Sequence, residues 1–223
     1  MSVEEHWTAA VLGDVVASKT HARRAEVQRS IESALAEVNE AVPAVQPLDV
    51  TIGDEFQGAY RSVADAVRAT LLVRLLLLPE VDTRFGIGSG PVTVFDATRR
   101  PISQDGPAWW AAREAIDHVH RQQTRGGHER AARTWYVAAD GADGADGGEQ
   151  ARFVNAHLLC RDALVPRHDE RGVTLLRGWL TGRTQVDLAA QLGISQSAVS
   201  QRLTRMGAFA VRDAQEALGG AGS

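Results

Sequence analysis

Two turns rich in carboxylates stand out because each lies at the end of an apolar run typical of a β-strand. Asp14 closes WTAAVLGDVV (7–16), and Asp54 precedes Glu55 in TIGDEFQGAY (51–60). Carboxylates a few ångströms apart repel each other strongly unless a cation lies between them. Mg²⁺ takes such hard oxygen ligands when it also binds phosphate oxygens. The pattern therefore predicts Asp14 and Asp54 as metal ligands if both turns meet at one sheet edge, with Glu55 as a further candidate.

The segment VVASKT (15–20), which follows Asp14, could bind an anion because it opens a helix. Amide groups at a helix start, helped by polar side chains, form a site for phosphate. We predict phosphate or nucleotide contacts from this segment, that is, from Val15, Val16, Ala17, Ser18, Lys19 and Thr20. The alternative is purely structural: Asp14 and Thr20 cap the helix, and Asp54 occupies a type I′ turn.

A second motif, TQVDLAAQLGISQSAVSQRLTRM (184–206), predicts two short helices joined by a tight turn. Thr184 and Ser195 are typical helix caps, Gly193 permits the turn, and Ala189 is small enough for the helices to cross closely. The second helix carries short polar and basic side chains suited to base edges and phosphates in a DNA major groove. These residues are Gln196, Ser197, Ser200, Gln201, Arg202 and Arg205. The alternative is a helical hairpin with a solvated polar face.

The elements that must position these residues follow the order β-α-β-β-α-β, with a further helix and strand appended. The predicted segments are a strand at 7–16, a helix at 20–42, hairpin strands at 47–52 and 55–60, a helix at 62–78, a strand pair at 83–95, a helix at 106–123 and a strand at 132–139. This order predicts an α+β fold of the ferredoxin-like or palm type, with helices on one face of a mainly antiparallel sheet. The strands that carry Asp14 and Asp54 are then neighbours.

Length and charge favour two modules. We predict a palm-like domain over residues 1–163, with a flexible loop at 140–149, and a small all-α domain over 164–223. Residues 161–213 contain eight arginines and five carboxylates, whereas residues 1–160 contain 16 basic and 22 acidic side chains. A basic module on an acidic body suggests different partners for the two parts.

Composition limits the cellular context. The single cysteine, Cys160, excludes an intrachain disulfide, and its apolar helical stretch, FVNAHLLC, predicts a core position. The N-terminus shows no signal peptide. The most apolar stretch is too short to span a bilayer and contains Arg74. We therefore expect a cytoplasmic protein without a membrane partner.

Three of these segments, in the same order, resemble the catalytic core of class III nucleotide cyclases, and more distantly the palm-like GGDEF diguanylate cyclases. LGDVVASKT is similar to the first metal-binding strand with its phosphate loop, and TIGDEFQGAY to the hairpin with the second metal aspartate. TRFGIGSGPVTV is similar to the strand that follows the second helix. The resemblance covers roughly residues 7–140, and the chain likewise resembles the SatD family, which is built on this pattern.

The resemblance implies roles for some residues and shows where the pattern departs. Arg113 matches a phosphate-stabilising arginine, and it would be the catalytic residue of a cyclase. Val50 occupies the position at which cyclases carry the Lys or Glu that selects the base. Trp109 or Trp110 replaces the asparagine that orients the ribose. Loss of that positioning removes much of the rate enhancement. The tryptophans could stack on a base, or could lie in the core or at a dimer interface.

These observations predict a homodimeric, DNA-binding transcriptional regulator whose cyclase-like domain senses a nucleotide together with Mg²⁺ or Mn²⁺. Paired recognition helices predict a pseudo-palindromic operator. An active nucleotide cyclase, tethered or docked through the C-terminal helices, is the alternative. A third possibility is a regulator whose cyclase-like fold serves only as a dimerisation scaffold.

Overall fold

The computed structural model describes residues 5–16, 24–51, 53–96, 102–125, 131–139, 147–165 and 169–220. The strands are β1 Glu5–Val15, β2 Gln46–Val50, β3 Phe56–Tyr60, β4 Thr83–Asp96, β5 Ser103–Asp105 and β6 Thr134–Ala138. The helices are α1 Arg24–Ala41, α2 Val63–Leu77, α3 Pro107–Arg125, α4 Gly147–Leu164, α5 Glu170–Leu180, α6 Gln185–Leu192, α7 Gln196–Arg205 and α8 Ala208–Gly220. The predicted α+β class and the β-α-β-β-α-β order are confirmed.

The strands form one mixed sheet in the order β2-β3-β1-β4-β5, and β6 pairs in parallel with the first half of β4. β1 lies between β3 and β4 and is antiparallel to both. In register, Gly13 lies opposite Phe56, and Asp14 lies opposite Arg84. The strand that carries Asp14 therefore neighbours the hairpin that carries Asp54, as predicted.

The prediction of a strand pair over 83–95 is wrong, because β4 is one continuous strand of 14 residues. Its glycines serve helix packing rather than a turn. A Cβ atom on Gly86 would lie 2.1 Å from the carbonyl oxygen of Ala112, and one on Gly88 would lie 2.2 Å from that of Ala108. The two glycines therefore let the backbone of α3 rest directly on the sheet. The short strand β5 was not predicted.

Helices cover both faces of the sheet, which corrects the prediction that they share one face. Alternate residues of β1 divide between the two sides, because successive side chains on a strand point in opposite directions. Ala9, Val11 and Val15 pack with α1, α2 and α4, whereas Ala10 and Leu12 pack under α3. Asp14 has the same parity as Ala10 and Leu12 and faces α3.

The C-terminal helices share a core with α2. Leu71 and Leu75 are fully buried among side chains of α5–α8, which include Leu176, Leu188 and Val199. One side of α2 packs on the sheet and the other on the helices, which explains its nearly uninterrupted apolar sequence. The boundary predicted between residues 163 and 164 stays a prediction.

A buried ionic network ties the end of α4 to α2 and to the sheet. Asp162 accepts hydrogen bonds from the amides of Arg133 and Thr134 (2.7 Å each) and contacts the guanidinium groups of Arg74 and Arg161. Buried charges require such paired and hydrogen-bonded surroundings. The network therefore fixes α4 at the position from which the chain enters the C-terminal helices.

Two further expectations are corrected here. Residues 147–149 of the predicted loop form the first turn of α4, while 140–146 lie outside the described residues. Cys160, expected in the core, is exposed. Within the described ranges no helix is long and apolar enough to span a membrane.

Candidate functional site

Asp14 lies at the centre of a polar cluster beneath α3. Arg84 donates from Nε to Oδ1 (2.7 Å) and from a terminal nitrogen to Oδ2 (3.1 Å), which gives a bidentate pair. His120 of α3 donates from Nε2 to Oδ2 (2.8 Å). The Asp14 and Arg84 side chains are each 13% exposed. Both oxygens of this carboxylate therefore have a protein donor.

The surrounding elements hold the cluster in place. Arg84 also donates to Oε1 of Gln123 (3.1 Å), and Gln123 donates to the carbonyl of Ala132 (3.2 Å). Since Asp14 and Arg84 are partners in register and α3 rests on the glycines of β4, the three side chains converge without a long reach. The arrangement is fixed from β1, β4 and α3 together.

The hairpin carboxylates lie differently from each other. Glu55 is 3.6 Å from the guanidinium of Arg113 on α3, and both side chains are about half exposed. Arg113 and His120 are seven residues apart, so they lie on one stripe of that helix. Asp54 is partly buried, and no hydrogen bond or ion pair from the described residues reaches its carboxylate. Glu55, rather than Asp54, thus contacts the helix that covers Asp14.

Part of the predicted phosphate segment lies within the sheet. Val15 is buried in the core, and the amide of Val16 donates to the carbonyl of Asp82 (2.9 Å). That amide is therefore not directed towards a ligand. Ala17, Ser18, Lys19 and Thr20 lie outside the described residues, so their predicted role stays a prediction.

The two tryptophans of α3 separate into different environments. Trp109 packs partly buried beside Ala10, Leu12 and Val92, which agrees with a core position. Trp110 is 62% exposed, and its indole nitrogen donates to Asp105 (2.8 Å). Of the two, only Trp110 offers a broad aromatic surface to a ligand or partner.

As arranged, the Asp14 carboxylate does not fit a divalent ion. An ion needs free carboxylate oxygens, whereas those of Asp14 are bound by a guanidinium and an imidazole. In the part of the chain that the structure describes, no three His, Cys, Asp or Glu side chains form a group suited to a metal. The roles of Asp14 and Asp54 as metal ligands stay a prediction.

Arg84 and His120 were not predicted as site residues. Arg84 could have been found from the sequence, because it begins the glycine-rich strand and has the parity of Gly86 and Gly88. His120 could not, since its contact with Asp14 spans 106 residues and depends on how α3 docks.

The C-terminal segment forms the two helices predicted for it. Thr184 and Asp187 form a reciprocal capping box at the start of α6, and Ser195 caps α7. Gly193 adopts a left-handed conformation (φ 64°) in the turn, where a residue with a Cβ would be strained. Hydrogen bonds from Thr184 lower the pKa of Asp187. The local sequence therefore specifies the helix ends as well as the helices.

The outer face of α7 is polar. Gln196, Ser197, Gln201 and Arg205 are exposed, while Ser200 and Arg202 are partly buried. Two of these side chains already have partners. Arg202 bonds to Asp169, the cap of α5, and lowers the pKa of that carboxylate. Gln196 donates to the side chain of Gln185 at the start of α6 (2.6 Å). Gln185 was not predicted as part of this surface.

Comparison with known proteins gives one family and several solved structures. A model of the SatD family matches residues 8–145. No curated protein sequence matches the chain. Among solved structures, the guanylyl cyclase Cya2 is 14% identical over 53% of this chain and 73% of its own, with a TM-score of 0.44.

Two other solved structures give similar values. A bacterial light-regulated adenylyl cyclase is 12% identical over 61% of this chain and 44% of its own (TM-score 0.48). A class III adenylyl cyclase-like ATP-binding protein from Pseudomonas aeruginosa is 13% identical over 65% of this chain and 37% of its own (TM-score 0.39). The chain therefore aligns with less than half the length of each of these two.

Proposed function

The chain belongs to the SatD family, and we propose that it is a DNA-binding regulator whose family domain binds a nucleotide. The nucleotide part rests on the order of the three cyclase-like segments and on their convergence around Asp14. The DNA part rests on one observation: polar side chains line the outer face of α7, a helix whose start is capped by Ser195. A homodimer on a pseudo-palindromic operator completes the proposal.

The DNA-binding surface consists of α7 and the first turn of α6. Short amide and hydroxyl side chains near the start of a helix can reach base edges in a major groove, and arginines farther along can reach phosphates. Gln196, Ser197, Ser200 and Gln201 would then contact bases, and Arg205 a phosphate. Arg202 would have to leave Asp169 to reach DNA, so we assign it first to holding α7 against α5.

The nucleotide site is assigned to the α3 side of the hairpin. Arg113, half exposed beside Glu55, is the accessible cation for phosphate oxygens, and exposed Trp110 offers a stacking surface. We propose that the nucleotide binds without the predicted Mg²⁺ or Mn²⁺, because Arg84 and His120 already bind the Asp14 carboxylate.

Thermal unfolding against a panel of nucleoside triphosphates and cyclic nucleotides tests the sensor function. A ligand that binds only the folded state at 100 times its Kd should stabilise it by about 2.7 kcal/mol. Arg113→Ala should weaken this stabilisation, whereas Arg152→Ala, an exposed change on α4, should not. If no nucleotide raises the unfolding temperature, the cyclase-like domain serves only as a dimerisation scaffold.

The alternative of an active nucleotide cyclase keeps Arg113 as its catalytic residue. Mass spectrometry of each nucleoside triphosphate incubated with the protein and Mg²⁺ or Mn²⁺ distinguishes the two functions. Metal-dependent formation of a cyclic product that disappears in Asp54→Asn would replace the sensor function with catalysis.

A further inference from the structure

The Asp14 carboxylate is neutralised from inside the protein. Its bidentate partner, Arg84, has a permanent positive charge and is anchored on its other side by Gln123. We infer that the Arg84 guanidinium takes the place of a divalent cation at Asp14, so that this domain binds no metal ion there. The inference concerns the same site as the proposed function, but it does not depend on nucleotide binding.

The geometry supports a stable pair rather than an incidental surface contact. Asp14 and Arg84 extend from facing positions on neighbouring strands and are both largely buried. A bidentate guanidinium–carboxylate pair is planar and specific, and a largely buried one is poorly screened by salt. A metal ion would have to displace Arg84 and leave its guanidinium beside the ion, where like charges repel.

His120 contacts the same carboxylate from a second direction. It reaches the second carboxylate oxygen from α3, opposite the strands, with a side chain that is 43% exposed. The carboxylate is thus contacted from β4 and from α3. Neither contact requires a ligand.

The inference predicts that a ligand at this site is held without a divalent ion. A phosphate group bound near the cluster would interact with arginine side chains, which bind oxyanions directly and in fixed geometry. If a nucleotide binds, EDTA should leave its Kd unchanged. If no nucleotide binds, the affinity for Mn²⁺ alone still decides whether Arg84 replaces a metal ion.

Binding of Mn²⁺ alone, followed by electron paramagnetic resonance, tests the inference. The wild type should show only weak binding that Asp14→Asn does not change. Arg84→Ala frees Asp14 and should strengthen Mn²⁺ binding by about tenfold or more, and the double variant with Asp14→Asn should lose this gain. Arg84→Lys, which keeps the charge, should behave as the wild type.

Arg84→Gln provides the same comparison if Arg84→Ala fails to fold, because glutamine can still hydrogen-bond to Asp14 without a charge. Circular dichroism verifies the fold of each variant. Wild-type Mn²⁺ binding that Asp14→Asn abolishes would overturn the inference. A folded Arg84→Ala or Arg84→Gln variant with no gain in Mn²⁺ binding would overturn it as well.

Discussion

At the residue scale, the hydrogen bond from Gln196 to Gln185 prepares the proposed DNA-reading surface. It joins the first residues of α7 and α6 and holds one amide in a fixed orientation before DNA binds. Glutamine can form paired hydrogen bonds with adenine, and a held amide loses less rotamer freedom on binding. In the proposed DNA complex, Gln185 would therefore act as a positioning residue, whereas Gln196 would contact the base.

Gln196→Ala should cost about 1–3 kcal/mol on a selected duplex and relax its specificity, while binding to unrelated DNA stays the same. Arg205→Ala should weaken binding to all duplexes alike. It should also reduce the slope of log affinity against log salt concentration by about one. Fluorescence anisotropy over a range of salt concentrations separates the two effects. Equal losses on selected and unrelated DNA in Gln196→Ala would show that this side chain reads no base.

His157 on α4 gives a pH dependence to stability. Burial, followed by the nearby charge of Arg161, lowers the pKa of His157 to about 4, whereas Asp162 opposes the shift. Because the unfolded chain binds this proton near pH 6.5, the contribution of His157 to folding stability is complete above that pH and decreases as the pH drops towards 4.

Replacing His157 by methionine should therefore reduce the loss of stability between about pH 7 and pH 5. Urea unfolding at each pH measures the loss of stability. His6→Gln, a change at an exposed histidine, is the control. An unchanged pH dependence in His157→Met would show that another group causes it.

At the element scale, the contact of α3 with β4 positions every α3 residue of the candidate site. Gly88→Ala would place a Cβ 2.2 Å from the amide nitrogen of Ala112, so the helix would have to move. We expect a loss of about 1–3 kcal/mol or more in unfolding free energy. Gly148→Ala, in a helix with open space around it, should be neutral or slightly stabilising. Equal effects of the two changes in denaturant unfolding would contradict this role of Gly88.

The sequence predicted elements better than the contacts between them. Apolar runs indicated β1 and α2, and caps with a turn glycine indicated the α6–α7 pair, because these signals depend on neighbouring residues. The segment of β4 was predicted as a strand pair, since only the docked α3 shows why its glycines do not tolerate a Cβ. The Asp14–Arg84 pair spans 70 residues and depends on which strands become neighbours. Residue types at the site were therefore predictable, but their partners were not.

At the scale of the whole molecule, the shared core on α2 determines how DNA binding must be tested. Deleting residues 184–223 would expose Leu71 and Leu75, so loss of binding would not distinguish a missing surface from a damaged fold. Point variants on α7 avoid this problem. The same packing places α2 in direct contact with the C-terminal helices, which is the contact that the proposed coupling of nucleotide to DNA requires.

The acidic body and the basic C-terminal segment favour DNA contact through α7 and the first turn of α6, and a single such helix pair rarely binds an operator tightly. We therefore predict a homodimer with half-sites about one helical turn apart, or a multiple of it. Light scattering at micromolar concentration, with and without a selected duplex, measures this. A monomer under both conditions would contradict it.

The central claim is that one chain couples a nucleotide to DNA binding. The direct measurement is the affinity for a duplex selected from a random library, by anisotropy at fixed salt concentration, with and without each nucleotide. We predict that one nucleotide changes the Kd by about 5- to 150-fold, the usual range of allosteric coupling, and that Arg113→Ala reduces this change. No salt-dependent affinity for any duplex, or an affinity that no nucleotide alters, would contradict the claim.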